Sequence, residues 1–330
     1  MSSSEVSAPG PVLILALPRS FSTVFSMMLG QHPELYGFPE LHLFAAESLA
    51  EWVEMAASAS FSMEHGLLRC LAQLFWKEQT EHTIQLARNW ITRHLDVTTG
   101  TVFAALQKEI QPRIAVEKGP TLITRSEYMQ RAYRLYPNAR FIHLVRDPRS
   151  YGASVLGRIR EEAARGGVGR WLLEMLYYPS VDFEERAVAS ADSSTAQRGW
   201  YEVNTSAIQF LRSIPSAQHT LLRGEDLLQR PRETLSGLAA WLGLRTDEDA
   251  ISAMLHPERS PYACLGPAGA SFGGDPHFLG SPVLRPLAAS FCSGADPRAP
   301  TSSHVSPPPE AKQALQPDVA RLAGELGYHV

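Results

Sequence analysis

Cysteine is scarce in this chain and nowhere clustered. Cys70, Cys264 and Cys292 are the only three in 330 residues, odd in number and far apart. That spacing excludes a disulfide framework and a zinc-type thiol cluster. Free thiols suit a reducing compartment, and the cytoplasm is the expected location. Long apolar runs are missing as well, since no stretch approaches the ~20 residues of a membrane span. The opening MSSSEVSAPGP has no basic n-region and reads as a frayed tail over residues 1–11, with neither signal peptide nor anchor. Positive charge is not in surplus: the formal net charge is −4, the wrong sign for general nucleic-acid binding. Two catalytic signatures are also absent. Without G-x-x-x-x-G-K-[ST] there is no ordinary ATP-binding P-loop, and without G-x-S-x-G there is no hydrolase nucleophile elbow. His256, His277 and His304 form no metal-ligand set, and no metal is implied.

What the chain does have is apolar residues in strand and helix patterns. Hydrophobic residues make up 44%, enough for one large core. Short apolar runs at 12–17, 113–116, 140–145 and 219–222 read as buried strands. Helical periodicity fills 22–30, 41–57, 63–76, 82–94, 124–136, 181–211 and the stretch after Arg223, with a closing amphipathic helix at the end. Alternation of this kind predicts a single α/β domain over residues 1–330, with a P-loop-like, doubly wound, mainly parallel sheet flanked by helices. Residues 41–94 form a helical insert and 260–310 a turn-rich segment, and both are expected to shape a substrate pocket.

Two strand ends carry the chemistry. VLILALPRSFSTV runs from an apolar strand directly into a helix, which exposes unpaired N–H groups and the positive end of the helix dipole. Ser20, Ser22 and Thr23 add hydroxyl donors, and Arg19 adds a planar fork suited to phosphate or sulfate oxygens. RFIHLVRDPRSYGAS repeats the plan, with Arg146 at the strand end, Asp147 as an N-cap and Pro148 at the first helical position. Ser150 and Ser154, four apart, share a helix face. Two such pockets suit a ligand with anionic groups at two separated points. His143 on the strand itself reads as a satisfied core histidine, and Trp200 and Tyr201 as core aromatics.

These motifs resemble those of the sulfotransferases that use 3′-phosphoadenosine 5′-phosphosulfate (PAPS). LPRSFST is similar to their 5′-phosphosulfate loop, and Arg146 and Ser154, eight apart, are similar to their 3′-phosphate motif. EKGP and LLRGEDLL resemble further landmarks, and the likeness extends over about residues 12–244. FPELHLF, MEHGLLRCLAQL and GPAGASFGGDPHFLGSP are similar to bacterial sulfotransferases of polyketide and peptide assembly lines. The commoner form of the first loop has glycine where Phe21 stands, and phenylalanine is reluctant to take positive φ.

The resemblance implies PAPS as cofactor and 3′-phosphoadenosine 5′-phosphate as product. Arg19 and the N–H groups of Ser20, Phe21, Ser22, Thr23 and Val24 would hold the 5′ end, and Arg146 with Ser154 the 3′-phosphate. Lys118 would neutralise the sulfonyl oxygens. Glu40, His42 and His65 are the alternatives for the base that takes the acceptor's proton. The expected acceptor is a hydroxyl on a small natural product or a carrier-protein-bound acyl chain. Two rival readings remain from the residues: a kinase-like enzyme using ATP in a degenerate cradle, and a catalytically silent protein that binds a carrier or ligand.

Overall fold

Five apolar residues in a row, Val12–Ala16, form β1, and all five are buried. Burial on both faces follows from the strand's central place in the sheet. Leu13 and Leu15 enter one apolar cluster, while Val12, Ile14 and Ala16 enter the other. The computed structural model describes residues 10–59, 62–164, 193–284 and 314–329. Its other strands are β2 (Leu35–Gly37), β3 (Ile114–Glu117), β4 (Arg140–Val145) and β5 (His219–Arg223). They form one sheet in the order β2-β3-β1-β4-β5, and every ladder is parallel.

Helices cover both faces, as the sequence predicts. One face packs against α1 (Ser22–Leu29), α9 (Gly224–Gln229), α10 (Pro231–Leu242) and α11 (Glu248–Met254). Against the other lie α2 (Leu49–Ser58), α3 (His65–Trp76), α4 (Glu81–Arg93), α5 (Thr99–Ile110) and α6 (Ser126–Leu135). The same cluster takes in α7 (Pro148–Ala164), α8 (Ser193–Arg212) and, further on, α12 (Pro276–Gly280) and α13 (Pro317–Glu325). Among the described residues no helix is long and apolar enough to cross a membrane.

Three elements differ from the sequence reading. The pattern at 41–57 is not one helix: His42 is left-handed (φ 56), Leu43–Ala45 makes a single 3-10 turn, and α2 starts afresh at Leu49. Ser48 is the physical reason, because its side chain accepts the Glu51 N–H at 3.1 Å and caps the new helix. β2 and α5 are not predicted from the sequence pattern. β2 has only three residues, too few for a period to register, and α5 is announced mainly by its Thr98 cap. The early part of 181–211 and Cys292 lie outside the described residues.

α3 comes up tightly against the loop after β2. A Cβ on Gly66, in the first turn of α3, would land on the Glu40 carbonyl, so only glycine allows the helix to approach the loop after β2. Gly66→Ala is expected to cost about 1–3 kcal/mol, read as a lower urea midpoint with an unchanged m-value. An unchanged midpoint would show that this approach is not needed.

Candidate functional site

All five parallel strands end on one side of the sheet, and the chain turns away there with polar residues in every loop. β1 leads to Arg19–Phe21, β2 to Glu40 and His42, β3 to Lys118, β4 to Arg146 and β5 to Gly224. Chain order reverses around β1, with β3 on one side and β4 on the other, the place where open α/β sheets form a crevice.

The first loop is strained. Arg19 (φ 65) and Phe21 (φ 63) are both left-handed, as is His42, and such non-glycine residues cost on the order of 1–3 kcal/mol each. Phe21 precedes α1 with no side-chain cap, so no capping side chain takes up the first N–H groups of that helix. Arg19 Nε donates to Ser154 Oγ at 3.2 Å and its Nη1 to Asp275 Oδ2 at 2.6 Å. Thr23 Oγ1 accepts from the Asp275 N–H at 3.1 Å and from Lys118 Nζ at 3.0 Å.

Arg146 is 4% exposed. Its Nε donates to Ser150 Oγ at 2.9 Å and its Nη1 to the Arg19 carbonyl at 2.6 Å. The Trp200 indole donates to the Arg146 carbonyl at 2.9 Å, so this buried aromatic is core that fixes the strand end. Burial, then the neighbouring Arg19 charge, lowers the Arg146 pKa to about 10, which leaves it charged at neutral pH. Among the described residues no carboxylate lies within ion-pair distance of it. The serine on its guanidinium is Ser150, one turn before Ser154, because Nε reaches four residues along the helix face. Ser154 meets Arg19 instead. The two arginines and two serines thus form one continuous group.

Lys118, 3% exposed, bridges the first loop to Glu40: it bonds Thr23 and forms a short ion pair with the Glu40 carboxylate. His42 Nε2 stands 3.8 Å from Glu40 Oε2, and its Nδ1 is 3.0 Å from Thr121 Oγ1. Burial lowers the His42 pKa to about 4, so the ring is neutral and weakly basic. His65 lies apart from this chain of contacts. Its Nδ1 accepts the Phe272 N–H at 3.2 Å, and burial lowers its pKa too. His143 is a core histidine, bonded to Asn204 Oδ1 at 2.8 Å and lowered to about 4 by burial.

Asp275, Thr121 and Glu117 are not singled out by the sequence as site residues, whereas Ser150 is one of the two serines it offers beside Arg146. Asp275 lies 256 residues beyond Arg19, and nothing local announces it. Glu117 sits inside EKGP and is 1% exposed. Its Oε1 accepts the Leu41 N–H at 3.3 Å, while Oε2 is buried with no partner among the described residues. Burial raises its pKa to about 7, against the backbone N–H groups of Leu41 and Gly119 that pull it down.

A family model described as the sulfotransferase family matches residues 11–248. The sulfotransferase domain from the curacin biosynthetic pathway superposes with a TM-score of 0.71 at 24% identity, covering 98% of this chain and 99% of that one. The sulfotransferase domain of the Synechococcus PCC 7002 olefin synthase gives 0.69 at 23% identity, covering 100% of this chain and 98% of that one. No curated protein matches the chain. The solved structures establish the shared fold.

Glu117 yields a pH prediction. A carboxyl raised from 4.5 to about 7 by folding contributes stability that is complete below its unfolded pKa and is lost as pH rises through about 7. The wild-type unfolding free energy, relative to that of Glu117→Gln, is therefore expected to fall between pH 5 and pH 8 in urea titrations. The buried histidines run the other way but are common to both proteins and cancel. A constant difference would mean that Glu117 is already ionised in the fold.

Proposed function

The chain belongs to the sulfotransferase family, and on that premise we propose that it transfers a sulfonyl group from PAPS to a hydroxyl. One observation carries the cofactor reading: a buried guanidinium, Arg146, with no carboxylate against it among the described residues. Buried charge is normally paired, so an arginine left without an acid at a crevice suits an anionic ligand. Arg19, Ser154 and the uncapped start of α1 suit a second anionic group a short distance away. The residues therefore fit a cofactor that is anionic at both ends.

PAPS supplies an activated sulfonyl group on a phosphate leaving group. The protein's part is positioning and electrostatics, as in phosphoryl transfer. Arg19 and the N–H groups at Ser22–Val24 hold the phosphosulfate end and stabilise negative charge on the leaving oxygen. Arg146, with Ser150 behind it, holds the 3′-phosphate. Lys118 Nζ, already between Thr23 and Glu40, would neutralise charge on the sulfonyl oxygens. Glu40 takes the proton of the acceptor hydroxyl. Its contact with Lys118 favours it over His42, whose basicity is reduced and whose ring is tied to Thr121, and over His65, which is engaged with Phe272. The acceptor class we assign is a natural-product or carrier-bound acyl hydroxyl. It is supported by the FPELHLF and GPAGASFGGDPHFLGSP stretches and by the biosynthetic settings named for the two fold neighbours.

Calorimetric titration with 3′-phosphoadenosine 5′-phosphate, AMP and ATP tests the cofactor. The bisphosphate is expected to bind at least about tenfold more tightly than AMP, as one charge-assisted contact warrants, and Arg146→Ala is expected to erase that preference. ATP bound in preference would favour the kinase reading. Glu40→Ala and Lys118→Ala are expected to keep bisphosphate binding while lowering sulfonyl transfer by about 10²-fold or more. Transfer unaffected by either change would remove both residues from the mechanism.

A further inference from the structure

Phe21 occupies a left-handed backbone position that a glycine would take without strain. Conformational cost of this kind persists where a side chain is needed, and the ring's surroundings indicate the need. The Arg146 guanidinium carbon lies 4.4 Å from the Phe21 ring centroid. On another side the ring meets Gly224, where an added Cβ would land on ring atom Cδ2. Phe21 is therefore wedged between the turn after β5 and the arginine at the end of β4.

We propose that Phe21 is the positioning residue for Arg146 and thereby sets the preference for a 3′-phosphate. The inference rests on the reading of Arg146 given above. A buried arginine must be held in one orientation to meet a phosphate squarely. A carboxylate does this elsewhere in the site, where Asp275 holds Arg19, but it neutralises the charge and competes with the incoming anion. An aromatic face attracts the guanidinium through its quadrupole and leaves the full positive charge in place. It also takes only the flat face, so the N–H edge stays directed at acceptors in the plane. Nε and Nη1 are bonded to Ser150 and the Arg19 carbonyl, while Nη2 has no acceptor among the described residues. The ring thus fixes the group without using its remaining donor edge. Gly224 completes the device, because a side chain there would push the ring off the arginine.

The test measures the ratio of affinities for 3′-phosphoadenosine 5′-phosphate and AMP by calorimetry. Phe21→Leu is expected to reduce that ratio about fivefold, the scale of a partly desolvated cation–π contact. Phe21→Tyr should retain the wild-type ratio. Gly224→Ala, which keeps the phenylalanine but displaces it, should reproduce the loss. In an Arg146→Ala background, Phe21→Leu should change the ratio no further, the mark of two residues acting through one contact. A wild-type ratio in Phe21→Leu, or an equal loss for both ligands, overturns the proposal and leaves the function standing. A wild-type protein with no preference for the bisphosphate would instead overturn the function itself.

Discussion

Arg146 is a charge taken out of water, and the surrounding structure is arranged to hold it. Burying a guanidinium is costly unless its donors are satisfied; here a serine and a main-chain carbonyl accept from two of its nitrogens and an aromatic ring lies against it, with no acid on it among the described residues. Each partner comes from a different part of the chain. Trp200 of α8 fixes the Arg146 carbonyl, and Glu225 after β5 accepts the next N–H, from Asp147, at 2.9 Å. Tyr328, near the C-terminus, donates to the other oxygen of Glu225 at 3.0 Å. The loop after β4 is therefore braced from both sides of the sheet, and the loop after β1 is tied to it through the Arg19 carbonyl.

A second buried arginine shows what a purely structural one looks like. Arg69 is fully buried, and all three of its nitrogens are engaged by neutral groups: Gln79 at 2.6 Å, the Phe272 carbonyl at 3.0 Å and Cys264 Sγ at 3.6 Å. It ties α3 to segment 262–275, and it offers no donor edge to a ligand. Arg146 differs in that respect and in its place at a strand end.

The sheet and its two arginine loops were legible in the sequence because they depend on local pattern: an apolar run, a break, an arginine, then helix-starting residues. Glu40 and Lys118 came from resemblance, and the structure places them in contact. What could not be read depends on three-dimensional neighbours. The Arg19–Asp275 pair spans 256 residues, and the burial of Glu117 depends on neighbours that EKGP itself does not announce. Ser150 and Ser154 share a helix face, and only the depth of each arginine decides which serine it meets. Phe21 read as a departure from the usual glycine, and its purpose emerges only with Arg146 and Gly224 beside it.

The pairing of Arg19 with Asp275 has a thermodynamic side. Asp275 belongs to the segment whose Gly273 carbonyl accepts the Glu40 N–H at 2.9 Å, so the carboxylate that guards the cradle is continuous with the backbone that braces Glu40. An anion that requires the Nη1 of Arg19 now bonded to Asp275 binds only those molecules in which Asp275 has let go. Its apparent dissociation constant is then the intrinsic one divided by that fraction. A modest affinity at this crevice would reflect how seldom the guard opens, and substitutions in segment 262–274 would tune it without replacing a residue of the cradle.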